Sequence, residues 1–199
     1  QLLGRFEEAA AAHAEALRLE PTFPEAHNNL GTALQKLDRP DQAEAAYREA
    51  LRLRPGSVQA RVNLGNVALE RGAAGDAVSH YRAALAIDPG LADVHFTLGV
   101  ALERLSRTGE AVTEYREVLR LQPSAADAHA RLGAIAEAGG RLDEAVAHSE
   151  AWARIEPGSP AAFMALGGAR YRASDFARAA AAYETAVRLA PDAPDARNN

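Results

Sequence analysis

Residues 24–57, which read PEAHNNLGTALQKLDRPDQAEAAYREALRLRPGS, contain the pattern that decides the fold. The proline near the end of this stretch returns every 34 residues through the chain, at Pro21, Pro55, Pro89, Pro123, Pro157 and Pro191. We take residue 24 as position 1 of a 34-residue unit. A Leu-Gly pair then fills positions 7 and 8 of all five complete units, with the glycines at Gly31, Gly65, Gly99, Gly133 and Gly167. A fixed period of this length indicates an array of structural repeats.

Two further positions repeat in the same register. Position 20 is alanine six times, at Ala9, Ala43, Ala77, Ala111, Ala145 and Ala179, and position 24 is tyrosine at Tyr47, Tyr81, Tyr115 and Tyr183. The period and these residues resemble the tetratricopeptide repeat family across essentially the whole chain. The resemblance implies an all-α fold, a right-handed α-solenoid of stacked helix-turn-helix repeats.

The spacing of apolar residues predicts two helices in each unit, separated by polar or glycine-containing turns such as residues 37–41 and 71–75. The first helix, A, begins just after the proline step, where Ser159-Pro160 offers a cap and a proline at the first helical position. The second helix, B, ends before the next periodic proline. A single hairpin cannot bury its apolar face alone, so neighbouring hairpins are expected to stack.

The register sets the expected boundaries of the array. It predicts a partial repeat with the end of helix A plus helix B over 1–23, complete repeats over 24–57, 58–91, 92–125, 126–159 and 160–193, and the start of a truncated further repeat over 194–199. Because both edges fall inside a unit, we expect a longer parent array.

Glycine inside a helix costs about 1 kcal/mol relative to alanine, so its recurrence at position 8 needs a packing reason. We expect helix A to approach helix B closely there, opposite a small alanine. Repeat four departs from its neighbours, because Ser149 replaces the tyrosine at position 24 while Trp152 stands three residues later. We expect Trp152 to supply the missing core volume; the alternative is an exposed binding anchor.

Composition narrows the function classes. Acidic residues outnumber basic ones, 27 to 22, which argues against general nucleic-acid binding. The chain has no cysteine, and no apolar run approaches the length of about 20 residues that spans a bilayer, so no membrane insertion is expected. Phosphate-binding, zinc-protease and serine-hydrolase motifs are absent from the sequence. We therefore expect no catalytic site and no cofactor.

Three histidines share position 4, namely His27, His95 and His129. Equivalent positions on neighbouring packed helices lie roughly 8–10 Å apart, too far for two rings to share an ion directly. We expect packing roles for them, and no metal site.

All six asparagines fall at positions 5, 6 or 9 of helix A: Asn28, Asn29, Asn63, Asn66, Asn198 and Asn199. In tetratricopeptide arrays these positions belong to the concave groove. A primary amide can pair with the N–H and C=O of an extended peptide. At position 6 the pattern resembles the asparagine ladder of O-linked N-acetylglucosamine transferases, although Thr97, Arg131 and Ala165 interrupt it. Ordinary solvated residues on an exposed helix face are the alternative interpretation.

A second groove mode in this family holds the acidic C-terminus of chaperones with lysines, asparagines and an arginine. Asp93 and Asp127 stand where a lysine should meet the carboxylate, so that mode is not expected. For Tyr171, a position facing the groove and one tucked into the core remain open. The predicted peptide-binding residues are Asn28, Asn29, Thr32, Asn63, Asn66, Phe96, Arg104, Arg131, Met164, Tyr171 and Arg172.

The sequence thus predicts a non-enzymatic scaffold that binds an extended segment of a partner protein in a concave groove. Arginines of the groove would favour acidic side chains, while Phe96, Met164 and Tyr171 would anchor apolar ones. The alternative function is the substrate-recognition arm of a larger bacterial enzyme, such as a glycosyltransferase resembling the O-linked N-acetylglucosamine transferase. Self-association through uncapped ends of the array is a further expectation.

Overall fold

The computed structural model describes residues 2–190, and this part of the chain contains eleven α-helices and no β-strand. The helices are α1 (Leu2–Leu19), α2 (Pro24–Lys36), α3 (Pro40–Leu53), α4 (Val58–Glu70), α5 (Ala74–Leu85), α6 (Ala92–Arg104), α7 (Thr108–Leu121), α8 (Ala126–Ala138), α9 (Leu142–Ile155), α10 (Pro160–Arg172) and α11 (Phe176–Leu189). The all-α class is confirmed. None of these helices is both long and apolar enough to cross a membrane.

The helices form two compact units, one up to Arg107 and one from Thr108 onward. In the first unit, α1 to α5 each pack on the next helix along the chain, and α2 also contacts α4. In the second unit, α7 to α11 pack in the same sequential way, and α8 also contacts α10. Each unit is therefore a stack of helical hairpins, the arrangement predicted from the repeat.

Local sequence sets the helix ends. Helix A begins at position 1 of every complete unit, with proline in the first turn of α2 and α10. The Ser57 and Ser159 hydroxyls accept hydrogen bonds from the backbone N–H groups of Ala60 and Ala162, at 3.3 and 3.4 Å. These bonds satisfy amide donors that have no partner inside the helix. The cap predicted at Ser159-Pro160 is present.

The turn from helix A to helix B needs one residue with left-handed backbone geometry. Position 15 takes this conformation in all five complete repeats, with positive φ at Asp38, Gly72, Ser106, Gly140 and Ser174. Glycine adopts it freely, whereas a residue with a Cβ pays an energetic cost. The backbone strain of this turn is therefore lower in the repeats with Gly72 and Gly140 than in the other three repeats.

Helix A approaches helix B closely at position 8, as expected, but the close neighbour differs from the expected one. A Cβ placed on Gly31 or Gly65 would lie 2.5 Å from Cε1 of Tyr47 or Tyr81. Gly167 stands in the same relation to Tyr183. The close neighbour of each glycine is thus the position 24 tyrosine of helix B rather than an alanine, so the expectation of an opposing alanine was wrong.

Repeat four replaces this contact. A Cβ on Gly133 would meet Ser149 Oγ at 3.4 Å, which is ordinary van der Waals contact. Trp152 packs against the core cluster that contains Ala153, Leu166 and other buried residues, and its Nε1 donates to Glu156 Oε2 at 2.8 Å. The aromatic volume has moved along α9, as predicted, and Ser149 lies beside Gly133 in place of a tyrosine ring.

Candidate functional site

The groove face of the first unit is formed by α2, α4 and α6, and it contains a pocket of about 410 Å³. This pocket, called the unit-one pocket below, is lined by Thr32, Gln35, Lys36, Tyr47, Asn63, Asn66, Leu69, Glu70 and Arg104. Four of the predicted peptide-binding residues come together here: Thr32, Asn63, Asn66 and Arg104. Thr32 and Asn66 lie 34 residues apart, so the repeat places them at the same position of α2 and α4.

The amide of Asn66 has a fixed orientation. The Tyr81 hydroxyl, on α5 of the same repeat, donates to Asn66 Oδ1 at 2.7 Å. Within residues 2–190, the Nδ2 group of Asn66 has no hydrogen-bond partner, although its side chain lines the pocket. Asn66 therefore offers donors to a ligand rather than an acceptor.

Asn63 is oriented in the opposite sense. Its Nδ2 donates to Oδ1 of Asn28 at 3.0 Å, across the boundary between two repeats. Asn63 Oδ1 accepts no hydrogen bond from the described residues, so it remains an acceptor at the pocket. The asparagines thus use part of their hydrogen-bonding capacity to join neighbouring repeats, which their sequence positions alone did not reveal.

The pocket wall contains a second hydrogen-bonded chain. The Tyr47 hydroxyl donates to Gln35 Oε1 at 3.0 Å and lies 3.3 Å from Thr32 Oγ1. Gln35 Nε2 in turn donates to Glu70 Oε1 at 2.8 Å. Gln35 and Glu70 are not among the predicted peptide-binding residues. Their spacing of 35 residues, which pairs position 12 with position 13 of the next repeat, was the available signal.

Both tyrosine hydroxyls remain protonated donors. Burial raises the pKa of Tyr81 to about 12, against a smaller lowering effect from a hydrogen bond with Thr97. Burial likewise raises the pKa of Tyr47, with the Thr32 hydrogen bond acting in the other direction. The Asn66 amide is consequently held by a neutral phenol throughout the neutral range.

Cations outnumber carboxylates at the pocket. Arg104 Nη1 donates to the backbone carbonyl of Leu69 at 2.7 Å. Within residues 2–190, Arg104 has no carboxylate partner. Lys36 is exposed and likewise has no ion-pair partner in the described chain. Glu70 is the one acidic residue of the lining. The pocket thus has a net positive charge that suits an acidic ligand group.

The other predicted residues of the first unit lie outside the pocket lining. Asn29 is exposed on α2, and its side chain has no partner among the described residues. Phe96 is half-buried on α6 and makes an interaction within the protein. Asn198 and Asn199, the predicted continuation of the asparagine pattern, lie outside the described residues.

In the second unit, α8 and α10 carry the remaining predicted residues. Arg131 is exposed and Met164 is half-buried, while Arg172 Nε pairs with Glu137 Oε1 at 3.1 Å. Tyr171 is 59% exposed, and its ring packs edge-on against Phe176 with centroids 5.3 Å apart. Of the two positions left open for Tyr171, the tucked-in one is wrong. The sequence analysis missed Phe176, which begins the following helix.

The position 4 histidines have a shared structural role. The Nε2 atoms of His27, His95 and His129 lie 3.0, 3.2 and 3.4 Å from the carbonyl oxygens of Pro21, Pro89 and Pro123, each six residues earlier. In repeat two, Arg61 makes the same bond to Pro55 at 2.8 Å. No cluster of three or more His, Asp or Glu side chains within residues 2–190 is arranged to hold a metal ion.

Solved structures with the same fold are numerous. YrrB, described as a tetratricopeptide repeat protein with an unusual peptide-binding site, has a TM-score of 0.82 and 23% identity, over 95% of this chain and 97% of its own. MamA from Desulfovibrio magneticus RS-1 has a TM-score of 0.77 and 17% identity, over 86% and 97%. PilF from Pseudomonas aeruginosa has a TM-score of 0.81 and 19% identity, over 98% and 88%. At these identities the likeness establishes the fold, an α-solenoid.

Sequence comparison identifies the family. No curated protein matches the chain significantly. A family profile described as Tetratricopeptide repeat matches residues 28–92, 96–160 and 161–199, and one described as TPR repeat matches residues 2–38. These matches agree with the period, the stacked hairpins and the glycine–tyrosine contacts. The chain belongs to the tetratricopeptide repeat family.

Proposed function

We propose that the chain is a protein-interaction scaffold and that its first unit binds an extended segment of a partner protein. Family membership and the stacked-hairpin fold support the scaffold role. The peptide-binding role rests on one observation, the fixed and opposite orientations of the Asn63 and Asn66 amides. YrrB, which has the same fold, is described as having a peptide-binding site.

The two amides match the hydrogen-bonding groups of a peptide backbone. Asn63 and Asn66 are three residues apart on α4, so their side chains share a face with Cβ atoms about 5–6 Å apart. Asn66 Nδ2 would donate to a backbone carbonyl, and Asn63 Oδ1 would accept from a backbone N–H. Because these groups occur in every extended peptide, the contact selects backbone rather than a particular sequence.

Selectivity would come from the surrounding side chains. Arg104 and Lys36 would favour acidic residues of the partner near the pocket, and Asn28, Asn29 and Thr32 would extend the polar contact. In the second unit, Arg131 and Arg172 would play the same part for acidic residues, and Met164 and Tyr171 would contact apolar ones. We propose that the chain binds its partner without catalysing a reaction.

The test is a peptide array probed with the full chain. Substitution of Asn29, Asn63 and Asn66 together by alanine should lower the affinity for the selected peptides at least about tenfold, as expected for loss of hydrogen bonds worth about 1 kcal/mol each. Gln42→Ala, at an exposed position on α3, is the matched control and should bind as the wild type. Equal binding by the triple variant would contradict the proposal.

A second interaction is suggested by exposed apolar residues on α1. Leu3 and Leu19 are 65% and 71% exposed. We propose self-association that covers this helix. Light scattering over a range of concentrations should show a rising mass that Leu3→Glu with Leu19→Glu abolishes, and a strictly monomeric wild type would exclude it.

A further inference from the structure

The two histidines of repeat four meet inside one hairpin of the second unit. His129 on α8 and His148 on α9 have their Nδ1 atoms 3.0 Å apart, with ring centroids at 5.3 Å and planes tilted by 49°. The sequence analysis considered only histidines of neighbouring repeats. The register could not show that position 4 of helix A faces position 23 of helix B.

The hydrogen bonds fix which nitrogens face each other as ligands. His129 Nε2 lies 3.4 Å from the carbonyl oxygen of Pro123, so it carries the proton that the carbonyl accepts. In neutral His129 the lone pair then lies on Nδ1 and accepts a hydrogen bond from Nδ1–H of His148. A bound ion would take the place of this shared proton, which leaves His129 with Nδ1 for the ion and Nε2–H for the carbonyl. This is the arrangement that metal-binding histidines show, with one nitrogen on the ion and the other donating to a backbone carbonyl.

From this geometry we propose that His129 and His148 form a two-histidine binding site for a divalent transition-metal ion of the copper or nickel type. With metal–nitrogen bonds of about 2.1 Å, two nitrogens 3.0 Å apart subtend an angle of roughly 90° at the ion. That angle suits adjacent positions of the square-planar or tetragonal geometry that Cu²⁺ and Ni²⁺ adopt, and it is smaller than tetrahedral zinc requires.

The pair is accessible from solvent, and a serine lies beside it. Ser149 stands where other repeats carry tyrosine, and a Cβ on Gly133 would lie 3.5 Å from His148 Cβ. Both rings are only half-buried, so water or a partner's side chain completes the coordination.

Repeat one provides a control within the same chain. His27 makes the equivalent bond to the Pro21 carbonyl at 3.0 Å, but Ala46 occupies the position that corresponds to His148. A single imidazole without its partner should bind a divalent ion much more weakly. The proposal therefore distinguishes His129 from His27, although both occupy position 4 and contact a proline carbonyl.

Titration of the full chain with Cu²⁺ alone, followed by calorimetry and electron paramagnetic resonance, tests the site. We expect one ion per chain with nitrogen hyperfine structure, and at least about tenfold weaker binding in His129→Ala and in His148→Gln, which keeps a polar side chain of similar size. His27→Ala should bind as the wild type. Thermal unfolding followed by circular dichroism confirms that each variant is folded.

Two results would overturn the site. One is equal Cu²⁺ binding by the wild type and by the folded double variant His129→Ala with His148→Gln. The other is an equal loss of binding in His27→Ala, which would show that isolated position 4 histidines account for the affinity. Peptide binding by the unit-one pocket is independent of either result.

Discussion

The Tyr47 ring occupies the space in which Gly31 would otherwise carry a side chain, with Cε1 2.5 Å from an ideal Cβ. Gly31→Ala should therefore destabilise the protein, because an overpacked core costs about 1–3 kcal/mol and exceeds the gain of about 1 kcal/mol in helix propensity. Denaturant unfolding measures the change. A more stable Gly31→Ala variant would contradict this reading of the contact.

The equivalent change in repeat four should have the opposite sign. A Cβ on Gly133 meets nothing closer than Ser149 Oγ at 3.4 Å, so Gly133→Ala gains helix propensity without a clash. We expect stabilisation by up to about 1 kcal/mol in the same unfolding experiment. Destabilisation similar to that of Gly31→Ala would show that the glycine has a role other than making room for tyrosine.

The left-handed turn at position 15 predicts a second pair of opposite effects. Gly140 has φ of 71°, and an added Cβ would have no neighbour within 4 Å. Gly140→Ala should therefore lower the free energy of unfolding by about 1–2 kcal/mol through backbone strain alone. Ser174 has φ of 63°, and Ser174→Gly should relieve that strain and raise the melting temperature. Changes of the same sign in both variants would exclude the explanation.

Tyr81 makes stability depend on alkaline pH. Its pKa is raised to about 12 in the folded state, while a tyrosine in the unfolded chain ionises near 10. The neutral phenol therefore contributes stability below about pH 10, and this contribution is lost as pH rises from 10 toward 12. Unfolding free energies measured across this window should fall less steeply in Tyr81→Phe, and an unchanged slope would argue against the shift.

The ion pair between Arg170 and Glu150 in the second unit should contribute to the stability of the fold. The Arg170 side chain is 18% exposed and its Nη2 donates to Glu150 Oε1 at 2.7 Å. Glu150→Ala leaves a largely buried guanidinium without its carboxylate, which should cost about 1–3 kcal/mol. Glu15→Ala is the matched control, because its partner Arg18 is exposed, and it should leave the melting temperature unchanged.

The 34-residue period and the spacing of apolar residues were enough to predict the stacked helix pairs, because the repeats share the same local sequence. Side-chain orientation was not predictable in the same way. The opposing alanine expected for Gly31 was wrong because the register gives the position along helix B but not which of its side chains turns inward. The amide orientation of Asn66 depends on a hydroxyl fifteen residues away.

The same limit applies to contacts between helices. The His129–His148 pair joins helix A to helix B of one repeat, and its members occupy unrelated positions of the register. Phe176 was missed because it stands at the first residue of a helix, where an apolar side chain is usually read as part of the turn. Contacts of this kind follow from how two helices are rotated against each other.

The hydrogen bonds between positions 35 residues apart have a mechanical consequence for the first unit. Three hydrogen bonds join adjacent helices on the face that would meet a partner: Asn28 with Asn63, Gln35 with Glu70, and the Leu69 carbonyl with Arg104. A ligand that competes for Asn28 or Glu70 weakens the contact between one repeat and the next. A ligand that accepts only from Asn66 leaves these hydrogen bonds intact. Different partners would therefore change the stiffness of this stack by different amounts.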